Sequence, residues 1–134
     1  MVIQRLQSLY LLLSSIMMGI FCHLPLATQG GTGIYPYQQP VYLTLNVLIV
    51  ILSLIAIFLF KNFSRQKMVV KVNIFLIVVS AVTSFVMLYN NISQIEIVWT
   101  AGPLLLICSF IITIAALRRI KHDENLLKAA DRIR

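Results

Sequence analysis

Residues 41–60 read VYLTLNVLIVILSLIAIFLF, without one Asp, Glu, Lys or Arg. A run of this length crosses a ~30 Å hydrocarbon core as a helix, and a helix satisfies its own backbone where lipid offers no hydrogen bonds. Three further apolar runs lie at 6–27, 69–89 and 99–117, with Lys71 near the start of the third as the one charged residue within them. The stretch 118–134 mixes charged residues with scattered apolar ones. The expected fold is all-α: an integral membrane four-helix bundle of two antiparallel transmembrane hairpins, one domain over 1–134, with a cytoplasmic C-terminal helical extension.

Composition agrees. Hydrophobic residues make up 60% of the 134 and charged residues 11%, against about 45–50% and about 25% in a soluble domain. The net charge of +7 is not the footprint of a nucleic-acid binder, because every Lys and Arg lies beside the end of an apolar run, where flanking charge anchors a span. Cys22 and Cys108 fall inside apolar runs and read as small buried hydrophobes. No CxxC or Cys/His cluster suggests a metal, and no cofactor motif is present. The first run is read as a retained helix: cleavage after Ala27 would place Pro25 where a small residue is wanted, and Phe21 before Cys22 does not suit a lipoprotein signal.

The eleven Lys and Arg also set the direction. Arg5 precedes the first run. Lys61, Arg65, Lys67 and Lys71 surround the link between the second and third, and the other six follow the fourth. Basic loops stay inside, so both termini are expected in the cytoplasm. Tyr35, Tyr37, Tyr42, Tyr89 and Trp99 gather at the opposite ends, the interfacial placement that amphipathic rings prefer. The stretch 28–40, with Gly30, Gly31, Gly33, Pro36 and Pro40, reads as a flexible outer connector. Asn91–Ile92–Ser93 fits a glycosylation acceptor, a tripeptide too common to carry weight.

Each run has one stripe of small or weakly polar residues. Ser8, Ser15 and Cys22 recur every seven residues with Gly19 beside them. Asn46 and Ser53 repeat the interval in the second run, Asn73, Ser80, Ser84 and Met87 in the third, and Gly102, Ser109 and Ala116, joined by Thr113, in the fourth. Small residues let helices approach and hydroxyls bond across the contact. Ser15, Gly19, Asn46, Ser53, Asn73, Ser80, Ser84, Gly102 and Ser109 are therefore candidates for helix packing or for contact with a partner, with packing the favoured role. Intramembrane acids and bases mark ion paths and proton relays, and the spans offer only Lys71 and His23, each near one end. No GxSxG, HExxH, Walker-type or paired-carboxylate arrangement occurs, and a serine without a base is no nucleophile.

The tail lacks Gly and Pro and should extend the fourth helix. Ile120, Leu127, Ala130 and Ile133 share a face, with Leu126 adjacent and charge around the rest. Such a helix lies on anionic lipid or docks in a groove. Arg118, Arg119, Leu127, Ala130, Arg132, Ile133 and Arg134 are its candidate contacts.

Both ends of the chain carry recognisable runs. The opening MVIQRLQSLYLLL at 1–13, and the closing RIKHDE at 119–124 and ADRIR at 130–134, resemble a bacterial family catalogued as domain of unknown function 4293. Its members begin with an Ile-Gln-Arg-Ile-Gln-x-Leu-Tyr-Leu-Leu type of run. The resemblance implies a small four-span protein of the Gram-negative inner membrane and brings no catalytic residues. From the charge-poor spans and mixed-charge tail, the expected role is a non-enzymatic accessory or scaffold subunit of a membrane complex. Its partners would be membrane lipids and a membrane protein or further copies of itself. A small oligomeric transporter or channel is the alternative, and an intramembrane enzyme built on His23 and Cys22 ranks third.

Overall fold

The computed structural model describes residues 2–29, 31–91 and 97–133. Four helices dominate: α1 (Val2–His23), α2 (Pro40–Phe58), α3 (Phe63–Asn91) and α4 (Gly102–Ile133). All four are long and apolar enough to cross a membrane. At 1.5 Å per residue, the 19 residues of α2 extend about 28 Å and the 32 of α4 about 48 Å. The surplus length of α4 is its charged end, so the tail and the fourth apolar run form one helix.

Local chemistry sets the helix limits. Pro40 opens α2 at a position where a missing N–H costs nothing. After α2, Leu59 N–H bonds to Ile55 O at 3.1 Å, and Asn62 O then accepts Gln66 N–H at 2.9 Å to start α3. This four-residue link forces α2 and α3 to be antiparallel neighbours. The first apolar run was expected to stay helical through Ala27, yet α1 stops at His23. Pro25 disfavours helical geometry in the residue before it, and Leu26 N–H bonds instead to Ile34 O at 2.7 Å. The fourth helix starts at Gly102 rather than near residue 99, because Ile97–Trp99 is a strand.

That strand belongs to a three-stranded antiparallel sheet in the order β2-β1-β3, formed by β1 (Ala27–Gln29), β2 (Thr32–Ile34) and β3 (Ile97–Trp99). Thr28 faces Gly33 on one side and Val98 on the other. Gly31, at φ 85°, makes the turn between β1 and β2, a conformation suited to glycine. A short 3₁₀ turn, Pro36–Gln38, follows. The stretch expected to be a flexible connector is therefore largely ordered backbone, and the chain is not purely helical. Asn91–Ile92–Ser93 runs outside the described residues after Asn91.

Each helix packs on two others: α1 on α4 and α2, and α3 on α2 and α4. The buried positions alternate steps of four and three, the seam pattern of packed helices: Gln7, Leu11, Ser14, Met18 and Phe21 in α1, and Leu106, Ser109, Thr113, Ala116, Ile120 and Asp123 in α4. The outward faces are aliphatic and aromatic, with Leu9, Phe75, Val82, Phe85, Leu104 and Ile111 all more than half exposed. Such a surface is costly in water and suited to lipid.

Candidate functional site

The polar side chains of the helices point inward and bond across two seams. Between α2 and α3, Asn73 Nδ2 donates to Ser53 Oγ at 2.7 Å, and Ser80 Oγ donates to Asn46 Oδ1 at 3.2 Å. The Tyr42 hydroxyl bonds to Ser84 Oγ and reaches Ser80 O at 3.3 Å, while Phe21 of α1 sets its ring edge-on against Tyr42 at 6.3 Å. Between α1 and α4, Ser14 Oγ lies 2.9 Å from Ser109 Oγ and 2.8 Å from Thr113 Oγ1. Each such bond within lipid contributes about 0.6 kcal/mol, so the pairs fix register more than they supply stability.

Of the stripe candidates, Asn46, Ser53, Asn73, Ser80, Ser84, Gly102 and Ser109 are buried between the helices. They are not available to an outside partner. Ser15 is also buried, but its hydroxyl turns back to Leu12 O of its own helix at 2.7 Å; the neighbouring Ser14 makes the cross-helix bond. Gly19 has open space where a Cβ would stand, so no helix approaches closely there. Gly102 is the opposite case. A Cβ on it would lie 2.7 Å from Pro25 O, and the Thr100 hydroxyl donates to that same carbonyl. Cys22 is buried and His23 exposed, so these sequence neighbours face apart.

A different set of polar groups gathers at the end that carries the basic residues. Leu11, Val70, Ala116 and Ile120 form one apolar cluster with Ala56. Gln7 lies one turn before Leu11, Gln66 one turn before Val70, and Asp123 one turn beyond Ile120, so helix geometry puts all three in the next layer. All are buried. Gln66 Nε2 donates to Ala56 O at 3.0 Å. Gln66 Oε1, both polar atoms of Gln7 and both oxygens of Asp123 have no hydrogen-bond partner among the described residues. Arg119 Nε is 3.7 Å from Asp123 Oδ1, an ion pair too long for a hydrogen bond.

Sequence reasoning missed this layer. Gln7, Ser14 and Phe21 repeat every seven residues as regularly as Ser8, Ser15 and Cys22, and Asp123 continues the Gly102, Ser109, Ala116 series. The signal was present, but glutamine, phenylalanine and aspartate are not small residues.

Beyond the layer, Glu124 of α4 bonds to Lys67 of α3 and lies 2.9 Å from Lys128 Nζ. Hydrogen bonds from Lys67 and then Lys128 hold the Glu124 carboxyl below its ordinary range. A carboxylate lowered in this way ties α4 to α3 at neutral pH, and the tie is lost as pH falls through the lowered value. Past Glu124 the helix is unsupported. Residues 125–133 are all exposed, among them the tail candidates Leu127, Ala130, Arg132 and Ile133. Arg118 is exposed, Arg119 half-buried, and Arg134 lies outside the described residues.

Four helices of spanning length, apolar outside and polar between, define a multi-pass helical membrane protein. The family described as Domain of unknown function (DUF4293) matches residues 3–133, and the chain belongs to it. No curated protein and no solved structure matches the chain.

Proposed function

We propose that the chain is a non-enzymatic accessory or scaffold subunit of a complex in the bacterial inner membrane. In this reading the four helices form a transmembrane bundle of two antiparallel hairpins, both termini lie in the cytoplasm, and the end of α4 is a cytoplasmic extension. The observation that carries it is the contrast within α4. Up to Glu124 its inward positions are packed, whereas Leu126, Leu127 and Ile133 are 45%, 52% and 88% exposed on an unbroken, charged helix. Apolar anchors at helical spacing among charges suit a protein groove that combines apolar pockets with ion pairing. The inward use of the stripes supports the same role, since it leaves the tail as the polar surface for recognition.

Crosslinking from position 129 in native membranes, followed by mild extraction, should recover a membrane protein in stoichiometric amount. Recovery of the isolated chain alone across several detergents would defeat the proposal. Orientation has its own test. With Cys22 and Cys108 replaced, a cysteine at Gly31 should label from outside the cell, and cysteines at Ser64 and Asn125 only after permeabilisation. The reverse pattern would invert the assignment.

A small oligomeric transporter or channel is favoured by one observation: oxygens of Gln7, Gln66, Asn73 and Asp123 lie buried without a hydrogen-bond partner among the described residues. Buried polar groups along a helix bundle mark permeation paths in other membrane proteins. Flux of ions or small solutes through the purified chain in liposomes would support this reading, and an absence of flux would remove it.

A further inference from the structure

Between α1 and α4, at the basic end, a crevice of about 380 Å³ is lined by Tyr10, Ala115, Arg118, Arg119 and His122. Its chemistry is one-sided. Two arginines, a histidine and a tyrosine line it with Ala115, and no acidic residue is among them. Arg118 and His122 are four residues apart on one helix face, so both reach the same space. Arg119 arrives from the neighbouring face with its Nε directed at buried Asp123, at 3.7 Å. That carboxylate is 3% exposed and is ion-paired with the Arg119 guanidinium.

The depth fits a bilayer surface. Arg118 stands sixteen residues beyond Gly102, about 24 Å along the helix axis, close to the limit of a ~30 Å hydrocarbon core. On the membrane side of the crevice, Leu13 is one turn from Tyr10 on α1, and Ile111 is two turns from Arg118 on α4. They are 42% and 59% exposed and present aliphatic surface. Cationic donors at headgroup level above an aliphatic groove match one ligand class.

We propose that this crevice binds the phosphodiester headgroup of an anionic phospholipid, with Arg118, Arg119, His122 and Tyr10 as donors and Asp123 as the residue that positions Arg119. The proposal rests on the helices spanning a membrane. It is independent of the tail's partner, because no residue beyond His122 takes part in the binding except Asp123.

The test uses the full chain in non-ionic detergent, mixed with equal amounts of phosphatidylglycerol and phosphatidylcholine and weighed by native mass spectrometry. The expected result is a single retained phosphatidylglycerol, favoured over phosphatidylcholine by about tenfold or more. Arg118→Gln and Arg119→Gln should each lower retention about fivefold, the share of one basic residue near anionic lipid. Lys121→Gln removes the same charge from the same helix outside the crevice and should change retention less than about twofold. Asp123→Asn should weaken retention, and Arg118→Gln, at an exposed position, should do so with its thermal unfolding midpoint at the wild-type value. Equal losses in Lys121→Gln and Arg118→Gln would reduce the effect to general attraction and overturn the site. So would equal retention of the two lipids. Complete displacement of phosphatidylglycerol by inorganic phosphate in comparable amount would assign the crevice to the free anion and also overturn the proposal.

Discussion

A chain ending at Glu124 is expected to insert and pack as the full chain does, yet to lose its partner. Residues 125–133 are exposed throughout, so their removal takes away no interior contact. The one ion pair lost among the described residues is Lys128 to Glu124, whose lysine is 68% exposed and whose contribution is therefore well under about 1 kcal/mol. The Lys67–Glu124 contact that fastens α4 to α3 remains. Partner recovery should fall from stoichiometric to background, because Leu126, Leu127 and Ile133 leave together and a docking helix draws most of its binding from a few such anchors. The measurement pairs affinity recovery with complementation of a deletion strain. Full complementation by the truncated chain would show that the tail carries no function, whatever the pull-down recovers.

The second large effect is expected at Gly102. Gly102→Ala places a Cβ 2.7 Å from Pro25 O, a backbone atom that cannot swing aside. Either α4 shifts outward at its first turn or the 24–26 segment moves, and overpacking of this kind costs about 1–3 kcal/mol. Gly19→Ala is the matched control. Open space surrounds that position, and alanine in a helix interior gains about 0.5–1 kcal/mol over glycine. Unfolding by increasing denaturing detergent should therefore move the two midpoints in opposite directions. A Gly102→Ala midpoint equal to that of the wild type would mean that the seat of α4 against Pro25 does not hold this end together.

The four long apolar helices were legible because bilayer thickness imposes a length that few other forces do. The inward positions of α2 and α3 were legible too. Asn46, Ser53, Asn73 and Ser80 stand among aliphatic residues, where a heptad of polar groups is conspicuous. In α1 the same reasoning landed one residue away. Ser14 and Ser15 are adjacent, each is the middle member of a seven-residue series, and only the position of Ser109 and Thr113 on α4 selects Ser14. Asp123 was hidden for a different reason. Amid Arg119, Lys121 and Glu124 it reads as one member of a solvated mixed-charge face, and its burial depends on α4 continuing to pack after the apolar run ends. The sheet was beyond sequence reasoning because its strands are three residues each, too short for alternation to register.

The sheet also imposes an order on biogenesis. Strand β1 emerges with the first span, and β2 can pair with it at once across the Gly31 turn. Its other edge stays open until Ile97–Trp99 has been synthesised, some seventy residues later, after α2 and α3. Closing that edge draws Thr100 onto the Pro25 carbonyl and brings Gly102 to its seat against the same carbonyl, so the start of the last helix is fixed on the segment that follows the first. In this order the sheet is a latch that only its last strand closes. It stays unlatched in any chain that ends before Trp99, which leaves the edge of β1 bare.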